Sequence, residues 1–359
     1  MPYKNQDVEI SRLLSYVLES NASDLHLLSG KPPIMRTDDG LVAVTGYPIY
    51  DGDKLDELLM AFLNEAQVAI LRDKKQVDFS YAFKGEARFR VNVYYQKGTL
   101  AAALRHIPSK IRTIEELGLP AQLQNLIAHR QGLVLFVGPT GHGKSTTLAA
   151  LIDQINHSRA EHIITIEDPI EYIFIQDQSL VSQREVSLDA PSFAEAIRAT
   201  LREDVNVVMV GEMRDLESFA TTITVAETGH LVFATLHTND APQSIDRIID
   251  VFPAHQQNQI RSQLADILVG VVSQRLLPRV GGGRIPAVEI MLSNTAVRNV
   301  IREGRSYELP NIIHTASSEG MVGLDRALAD LTRQGLVKLE DALAYANNAD
   351  LFKSLVKRY

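Results

Sequence analysis

The sequence contains no cysteine, no apolar run long enough to cross a membrane, and no excess of basic residues. The absence of cysteine excludes disulfide bonds and any zinc module built on cysteine ligands. The N-terminal stretch MPYKNQDVEISRLL is polar and then amphipathic, unlike a signal peptide, so we expect a soluble, cytoplasmic protein. A net charge of −8 gives no general attraction to nucleic acid or anionic lipid, and we expect neither partner.

The length of 359 residues exceeds what one hydrophobic core usually occupies, so we predict two domains. Residues 1–107 have the pattern of a small α+β domain, and the proline-bounded residues 108–120 are predicted as a linker with one short helical turn. The predicted elements of the first domain are a helix at Val8–Glu19, a short strand in SDLHLLSG, a hairpin with an Asp-Gly turn in IMRTDDGLVAVTG, a charged helix at Lys54–Leu71, strands at Val77–Phe83 and Ala87–Tyr95 around the turn KGE, and a strand ending at Pro108.

Residues 121–359 have a different pattern, in which apolar strands alternate with helices. This alternation is typical of an α/β domain whose parallel sheet is covered on both faces. The buried strands are predicted in LVLFVG, HIITIED, VNVVMVGE and LVFATLHT, because continuous apolar runs are typical of central parallel strands. The helices between them are predicted at Thr146–Asn156, Ser192–Arg202 and Leu216–Glu227. From about residue 255 to 359 we predict a mostly helical region.

The segment GPTGHGKSTT has the spacing of a phosphate-binding P-loop: a glycine, four free positions, then Gly-Lys-Ser. Its glycines allow backbone N–H groups to turn towards phosphate oxygens, and the following helix presents its positive dipole end. Lys144 would reach the outer phosphates, and the Ser145 hydroxyl would bind Mg²⁺. We therefore predict that ATP and Mg²⁺ bind at this loop, whose residues are Gly138, Pro139, Thr140, Gly141, His142, Gly143, Lys144, Ser145 and Thr146.

Polar side chains follow the other predicted strands at the edge where ligands of open α/β sheets bind. Glu167 and Asp168 follow one strand, Glu212 follows a second, and His237 follows a third. One carboxylate is expected to hold Mg²⁺, and the other to orient and deprotonate the water that attacks the γ-phosphate. The alternatives for these carboxylates are helix caps or solvated loop residues. His230 and His237 could be packing residues, and the strand between them disfavours a zinc site.

Several further segments resemble the successive motifs of the secretion ATPases, most closely the PilT-type retraction ATPases of type IV pili. The resemblance runs essentially from end to end. It rests on SDLHLLSGKPPIMRTDDG, ARFRVN, GPTGHGKSTTLAAL, ITIEDPIEY, LVSQREV, AIRATLREDVNVVMVGEMRD, VAETGHLVFATLHTNDAPQSIDRIIDVFP and AVRNVIREG. It implies a PAS-like N-terminal domain, a RecA-like ATPase domain, and a ring of six chains that powers pilus retraction and twitching motility.

The resemblance also implies roles for individual residues. Glu167 would be the general base, Glu212 the Walker B glutamate that helps to hold Mg²⁺, and His230 and His237 a histidine box in which His237 senses the γ-phosphate. An arginine of the N-terminal domain would complete the site, with Arg88, Arg90 and Arg105 as candidates. The implied partner is an inner-membrane pilus platform protein, contacted at the cytoplasmic face of the membrane.

The sequence departs from the family pattern at three places. His142 stands where serine is common, IFIQDQSL after the acidic box is unfamiliar, and Val297 replaces isoleucine in AVRNVIRE. The lack of cysteine separates the chain from pilus assembly and type II secretion ATPases, which carry a four-cysteine zinc module. The alternatives left open are one of those ATPases, a DNA-directed RecA-like motor, and a nucleotide-gated scaffold without turnover.

Overall fold

The computed structural model describes residues 8–20, 22–37, 40–84, 87–107 and 110–357. The first seven residues, parts of the predicted Asp-Gly and KGE turns, and Pro108 lie outside these ranges. The described residues divide into two compact units: those up to Lys110 together with Glu171–Ile173, and the others from Ile111 onward. Residues 111–120, predicted as part of a linker, lie in the second unit and contain a hydrogen-bonded turn, in which the Leu117 N–H donates to the Thr113 carbonyl oxygen at 3.0 Å.

Alternating burial builds the antiparallel sheet of the first unit. In β5, Phe89, Val91 and Val93 are fully buried, whereas the residues between them are partly exposed. The described strands of this sheet lie in the order β3-β2-β1-β6-β5-β4. Their bounds are β1 (Asp24–Leu27), β2 (Ile34–Thr37), β3 (Gly40–Ala43), β4 (Gln76–Phe83), β5 (Ala87–Gln96) and β6 (Thr99–Ile107).

The helices of the first unit differ from the predicted pattern at one place. Helix α1 (Val8–Glu19) forms as predicted, but the single helix predicted over Lys54–Leu71 is wrong, because two helices form there: α2 (Gly52–Phe62) and α3 (Glu65–Lys74). The break has a local cause. The Asn64 side chain accepts a hydrogen bond from the Gln67 backbone, and the Gln67 side chain accepts one from the Asn64 backbone. This capping box starts a new helix.

The second unit confirms the predicted α/β class. Its described strands form a mixed seven-stranded sheet in the order β13-β12-β7-β11-β10-β8-β9, in which β8 to β11 and β7 pair in parallel. The strands are β7 (Gly132–Val137), β8 (His162–Glu167), β9 (Leu180–Glu185), β10 (Val207–Val210), β11 (Leu231–Leu236), β12 (Leu268–Pro278) and β13 (Arg284–Leu292). The helices before β12 are α4 (Gln124–Ile127), α5 (Lys144–Ser158), α6 (Phe193–Thr200), α7 (Leu216–Glu227), α8 (Ala241–Asp250) and α9 (Ala254–Ile267).

The prediction of a mostly helical region after residue 255 is partly wrong. Strand β12 follows α9 directly and pairs in parallel with β7, while β13 pairs antiparallel with β12. Both strands are buried on two sides, so their residues lack the alternation that would have separated them from the preceding helix. Helices follow as predicted: α10 (Thr295–Arg302), α11 (Leu309–Thr315), α12 (Leu324–Arg333), α13 (Leu339–Leu343) and α14 (Ala349–Lys357), with 3₁₀ turns at Ala121–Leu123, Ser306–Glu308 and Ser317–Glu319.

Strand register brings the carboxyl ends of the central parallel strands to one edge of this sheet. Val137 of β7 lies opposite Leu236 of β11, and Val210 of β10 lies opposite both Ala234 of β11 and Ile166 of β8. The residues that immediately follow these strands are therefore neighbours in space. They include the start of the P-loop and the polar residues singled out in the sequence.

Candidate active site

The P-loop connects β7 to α5 through a backbone that only glycine adopts readily. Gly138, Gly141 and Gly143 have φ values of 142°, 79° and 81°. Helix α5 begins at Lys144, directly after Gly143, so the N–H groups of its first turn face the loop. The loop thus has the strand, turn and helix start that a phosphate-binding site requires.

The Lys144 ammonium lies against this loop and is buried. Its Nζ donates to the carbonyl oxygens of Gly138 and Pro139, at 2.6 and 3.0 Å, and to Nδ1 of His237 at 3.3 Å. An ammonium group donates hydrogen bonds but cannot accept them. The contact with Nδ1 therefore requires a lone pair on that nitrogen of His237.

His237 joins Lys144 to a carboxylate at the end of the neighbouring strand. Its other nitrogen, Nε2, lies 3.1 Å from Oε1 of Glu212. Because Nδ1 accepts from Lys144, the proton of the neutral ring is on Nε2, from which it donates to Glu212. The hydroxyl of Thr140 in the P-loop is 3.4 Å from Nδ1. Lys144, His237 and Glu212 thus form a continuous chain of polar contacts across the edge of the sheet.

Glu212 is held as a carboxylate by its neighbours. Burial alone would raise its pKa, but a hydrogen bond from Arg214 and the nearby His237 outweigh burial and lower the pKa. Arg214 Nη2 lies 2.7 Å from Oε2 of Glu212. The carboxylate is therefore charged at neutral pH, as a residue that helps to bind a cation must be.

Glu167, the last residue of β8, is almost fully buried at the same edge. The Thr165 hydroxyl donates to its Oε1 at 2.7 Å, and the Gln183 amide of β9 donates to the same oxygen at 3.4 Å. Thr165 lies two residues before Glu167, so their side chains point to the same face of the strand. These contacts fix the orientation of the carboxylate predicted to act as the general base.

His230 does not lie with the residues described above. It precedes β11, whereas His237 follows it, so the strand separates them by roughly 20 Å. Its Nδ1 contacts the carbonyl oxygen of Val225 at 3.0 Å, and its own carbonyl accepts from the Gly132 N–H at 2.9 Å. Within one chain, His230 occupies the opposite end of the strand from the P-loop.

The three predicted arginines lie in the first unit. Arg90 pairs with Asp78 at 2.8 Å, and Arg105 pairs with Asp24 at 2.9 Å. Arg88 lies on the same strand as Arg90. Two of these guanidinium groups are thus bound to carboxylates of their own unit.

Sequence reasoning missed several residues that contact this site. Gln274 of β12 contacts the P-loop directly, and both Thr165 and Gln183 contact Glu167. The signal for Gln274 was present, because the polar residues of SQR interrupt an otherwise apolar segment. A polar side chain inside such a segment is buried with a partner. The sequence could not identify that partner.

The residues present fit a Mg²⁺–nucleotide complex. Ser145 is partly exposed in the first turn of α5, and Glu212 is a charged carboxylate at the same edge. Among the described residues, no group of three or more His, Asp or Glu side chains is placed to hold a metal alone. Mg²⁺ commonly takes one or two protein ligands and completes its shell with phosphate oxygens and water. Within the described ranges, no helix is both long and apolar enough for a membrane span.

Comparison with known proteins gives consistent matches along most of the chain. A family model described as type II/IV secretion system protein matches residues 8–307. The chain is 44% identical over 335 residues to the type IV pilus retraction ATPase PilT of Pseudomonas aeruginosa, covering 93% of this chain and 97% of that protein. It is 43% identical over 304 residues to a twitching motility protein of Neisseria gonorrhoeae, covering 84% and 81%. A crystal structure of the pilus retraction motor PilT with bound ADP matches with a TM-score of 0.91 and 44% identity, covering 97% and 99% of the two chains.

Proposed function

The chain belongs to the type II/IV secretion system protein family and is an ATPase, and from this premise we propose that it powers type IV pilus retraction, and with it twitching motility. The observation that carries the proposal is the chain of contacts from Lys144 through His237 to Glu212 beside the P-loop. The resemblance to retraction ATPases over nearly the whole chain supports this motor function over other members of the family.

The P-loop and Lys144 would bind the triphosphate of ATP. Lys144 would exchange the carbonyl oxygens of Gly138 and Pro139 for phosphate oxygens, which carry more negative charge and bind an ammonium more strongly. Ser145 and Glu212 would hold Mg²⁺, which would supply positive charge beside the phosphates. The contacts of His237 would change when Lys144 exchanges its partners, because Nδ1 of His237 contacts the Lys144 ammonium.

Glu167 would act as the general base. Its buried carboxylate, oriented by Thr165 and Gln183, would orient the attacking water and accept a proton from it. A buried carboxylate is suited to this task, because the low polarity around it strengthens its interaction with the water. His237 and Glu212 follow the neighbouring strands β11 and β10, so loss of the γ-phosphate would change polar contacts along the same edge of the sheet.

We further propose the ring of six chains, with Arg88, Arg90 or Arg105 of an N-terminal domain completing the site. The positive charge of a guanidinium group would stabilise the charge that develops on the transferring phosphoryl group. For Arg90 and Arg105 this role requires release from Asp78 and Asp24. The ring would act on the inner-membrane platform protein from the cytoplasmic face. Light scattering with and without a non-hydrolysable ATP analogue tests the assembly, and a persistent monomer would exclude it.

The experiment that tests the proposed function compares wild type with Lys144→Ala. The variant should lose at least about 100-fold in ATP turnover, because it lacks the cation that contacts the outer phosphates. Lys353→Ala, an exposed lysine of α14, is the matched control and should retain full turnover. In cells lacking their own retraction ATPase, wild type and the control should restore twitching, and Lys144→Ala should not. Parental ATP turnover by Lys144→Ala would reject the proposal.

A further inference from the structure

Gln274 of β12 connects the P-loop to the first turns of the helix that follows it. The side chain is buried, with 2% of its surface exposed. Its Nε2 donates to the carbonyl oxygen of His142 at 2.9 Å, and its Oε1 accepts from the Thr147 hydroxyl at 2.8 Å. Both ends of one carboxamide are therefore used, one on the loop and the other on α5.

The backbone of the P-loop also packs closely against this residue. A Cβ atom added to Gly138 would lie 2.5 Å from the backbone carbonyl oxygen of Gln274, and one added to Gly143 would lie 2.9 Å from the side-chain nitrogen Nε2 of Gln274. Strand β12 adds a second contact, in which the Leu276 N–H donates to His142 Nδ1 at 3.0 Å. The two glycines thus accommodate β12 as well as the left-handed turns of the loop.

The contact with His142 fixes the orientation of one peptide group. In a trans peptide, the carbonyl oxygen of one residue and the N–H of the next point in opposite directions. Because the His142 carbonyl points towards Gln274, the Gly143 N–H points away from it. Gly143 lies between His142 and Lys144, in the part of a P-loop whose N–H groups bind phosphate oxygens.

We propose that Gln274 is a positioning residue that holds the P-loop in its phosphate-binding conformation before nucleotide arrives. This inference rests on the proposed function, because it concerns the same nucleotide site. A loop already held in the bound conformation loses less conformational freedom on binding, so nucleotide binds more tightly. Gln274 does not contact the reacting atoms in this account. Its removal should therefore weaken nucleotide binding and leave the chemical step largely intact.

The test is Gln274→Met, which keeps the length of the side chain and removes both hydrogen bonds. The dissociation constant of a fluorescent ADP analogue and the KM for ATP should each rise about tenfold, the scale of one or two lost buried hydrogen bonds. The kcat at saturating ATP should stay within about threefold of wild type. Gln274 and its two hydrogen bonds, to His142 and from Thr147, form a bridge between the loop and α5. Thr147→Val removes the hydrogen bond on the α5 side of this bridge and should raise the dissociation constant and the KM by a smaller factor. If Gln274→Met does not fold, Thr147→Val decides the question.

The matched control is Asn156→Leu, which removes another buried carboxamide from the same helix. Asn156 donates to the Ile175 carbonyl at 2.7 Å and accepts from the Asp177 N–H at 3.2 Å, near the far end of α5. The midpoint of thermal unfolding of Asn156→Leu should fall, while the KM for ATP and the affinity for ADP stay at wild-type values.

Two results would overturn the inference. One is unchanged ADP affinity and KM in the bridge variants, and the other is a fall in kcat at unchanged KM. Wild type is measured beside them: if it binds no ADP, the proposed function fails as well, whereas normal wild-type binding with unaffected bridge variants rejects the role of Gln274 alone.

Discussion

The Lys144 ammonium donates a hydrogen bond to Nδ1 of His237 at 3.3 Å, across the edge of the parallel sheet. The same imidazole contacts Glu212 through Nε2. One ring therefore connects the P-loop, which follows β7, to the residue that follows β10, and both connections are made by polar atoms. A residue in this position can transmit a change at Lys144 to Glu212.

Replacement of His237 by asparagine should lower kcat by about 10- to 100-fold, because the ring that connects Lys144 to Glu212 is lost. His230→Asn is the matched control, since His230 lies at the other end of β11 and contacts Val225. It should leave kcat within about twofold of wild type. Steady-state ATPase kinetics measure both variants. Equal losses of kcat in the two variants would contradict the structure, in which His237 and not His230 lies beside the P-loop of the same chain.

Thr165→Val should lower kcat about 5- to 20-fold at nearly unchanged KM, because Glu167 loses the hydroxyl that orients it. Thr165→Ser keeps a hydroxyl at the same position and is the control. Its kcat should recover to within about threefold of wild type. If the valine and serine variants have the same kcat, the hydroxyl has no part in positioning Glu167.

Glu289 on β13 provides a prediction for the pH dependence of stability. Burial, aided by the charge of Asp240 and opposed by backbone hydrogen bonds and by Arg275, raises its pKa from the usual 4.5 to about 7. In the unfolded chain this carboxyl loses its proton near its usual pKa, whereas the native state keeps the proton up to about 7. The protonated group therefore contributes stability below pH 4.5 that is lost as pH rises through about 7.

Glu289→Gln should remove this loss, because the amide carries no charge at any pH. The gain in the free energy of unfolding of Glu289→Gln over wild type should be larger at pH 8 than at pH 5, by on the order of 3 kcal/mol. Thermal unfolding followed at both pH values measures the effect. Glu195→Gln, an exposed residue in the first turn of α6, should show no such difference. An equal change at both pH values for Glu289→Gln would contradict the assigned pKa.

The fold was predictable where each pattern had a single interpretation. Strands β7, β8, β10 and β11 are continuous apolar runs between helices, so their class and order along the chain followed from composition. Strand β9 was missed because four of its six residues are polar, and β12 because its buried residues continue the apolar pattern of α9. The break between α2 and α3 depends on the cap at Asn64, a local signal that the apolar pattern concealed. The PAS-like character of the N-terminal domain stays a prediction.

The candidate site divides in the same way. The P-loop is local in sequence, so the spacing of its glycines and Lys144 was sufficient to identify it. Glu167, Glu212 and His237 were predictable because they follow apolar strands at a common edge. Gln274 lies 127 residues after Thr147, and no periodicity connects them. Only the parallel pairing of β12 with β7 brings them together.

The measurement that tests the central claim most directly is ATP hydrolysis by Glu167→Gln, with ATP affinity determined on the same preparation. The substitution keeps the shape of the side chain and removes the base, so kcat should fall at least about 100-fold. The dissociation constant for ATP should stay within about threefold of wild type, because the P-loop and Lys144 are unchanged. ATP turnover at the wild-type rate would contradict the assignment of Glu167 as the general base.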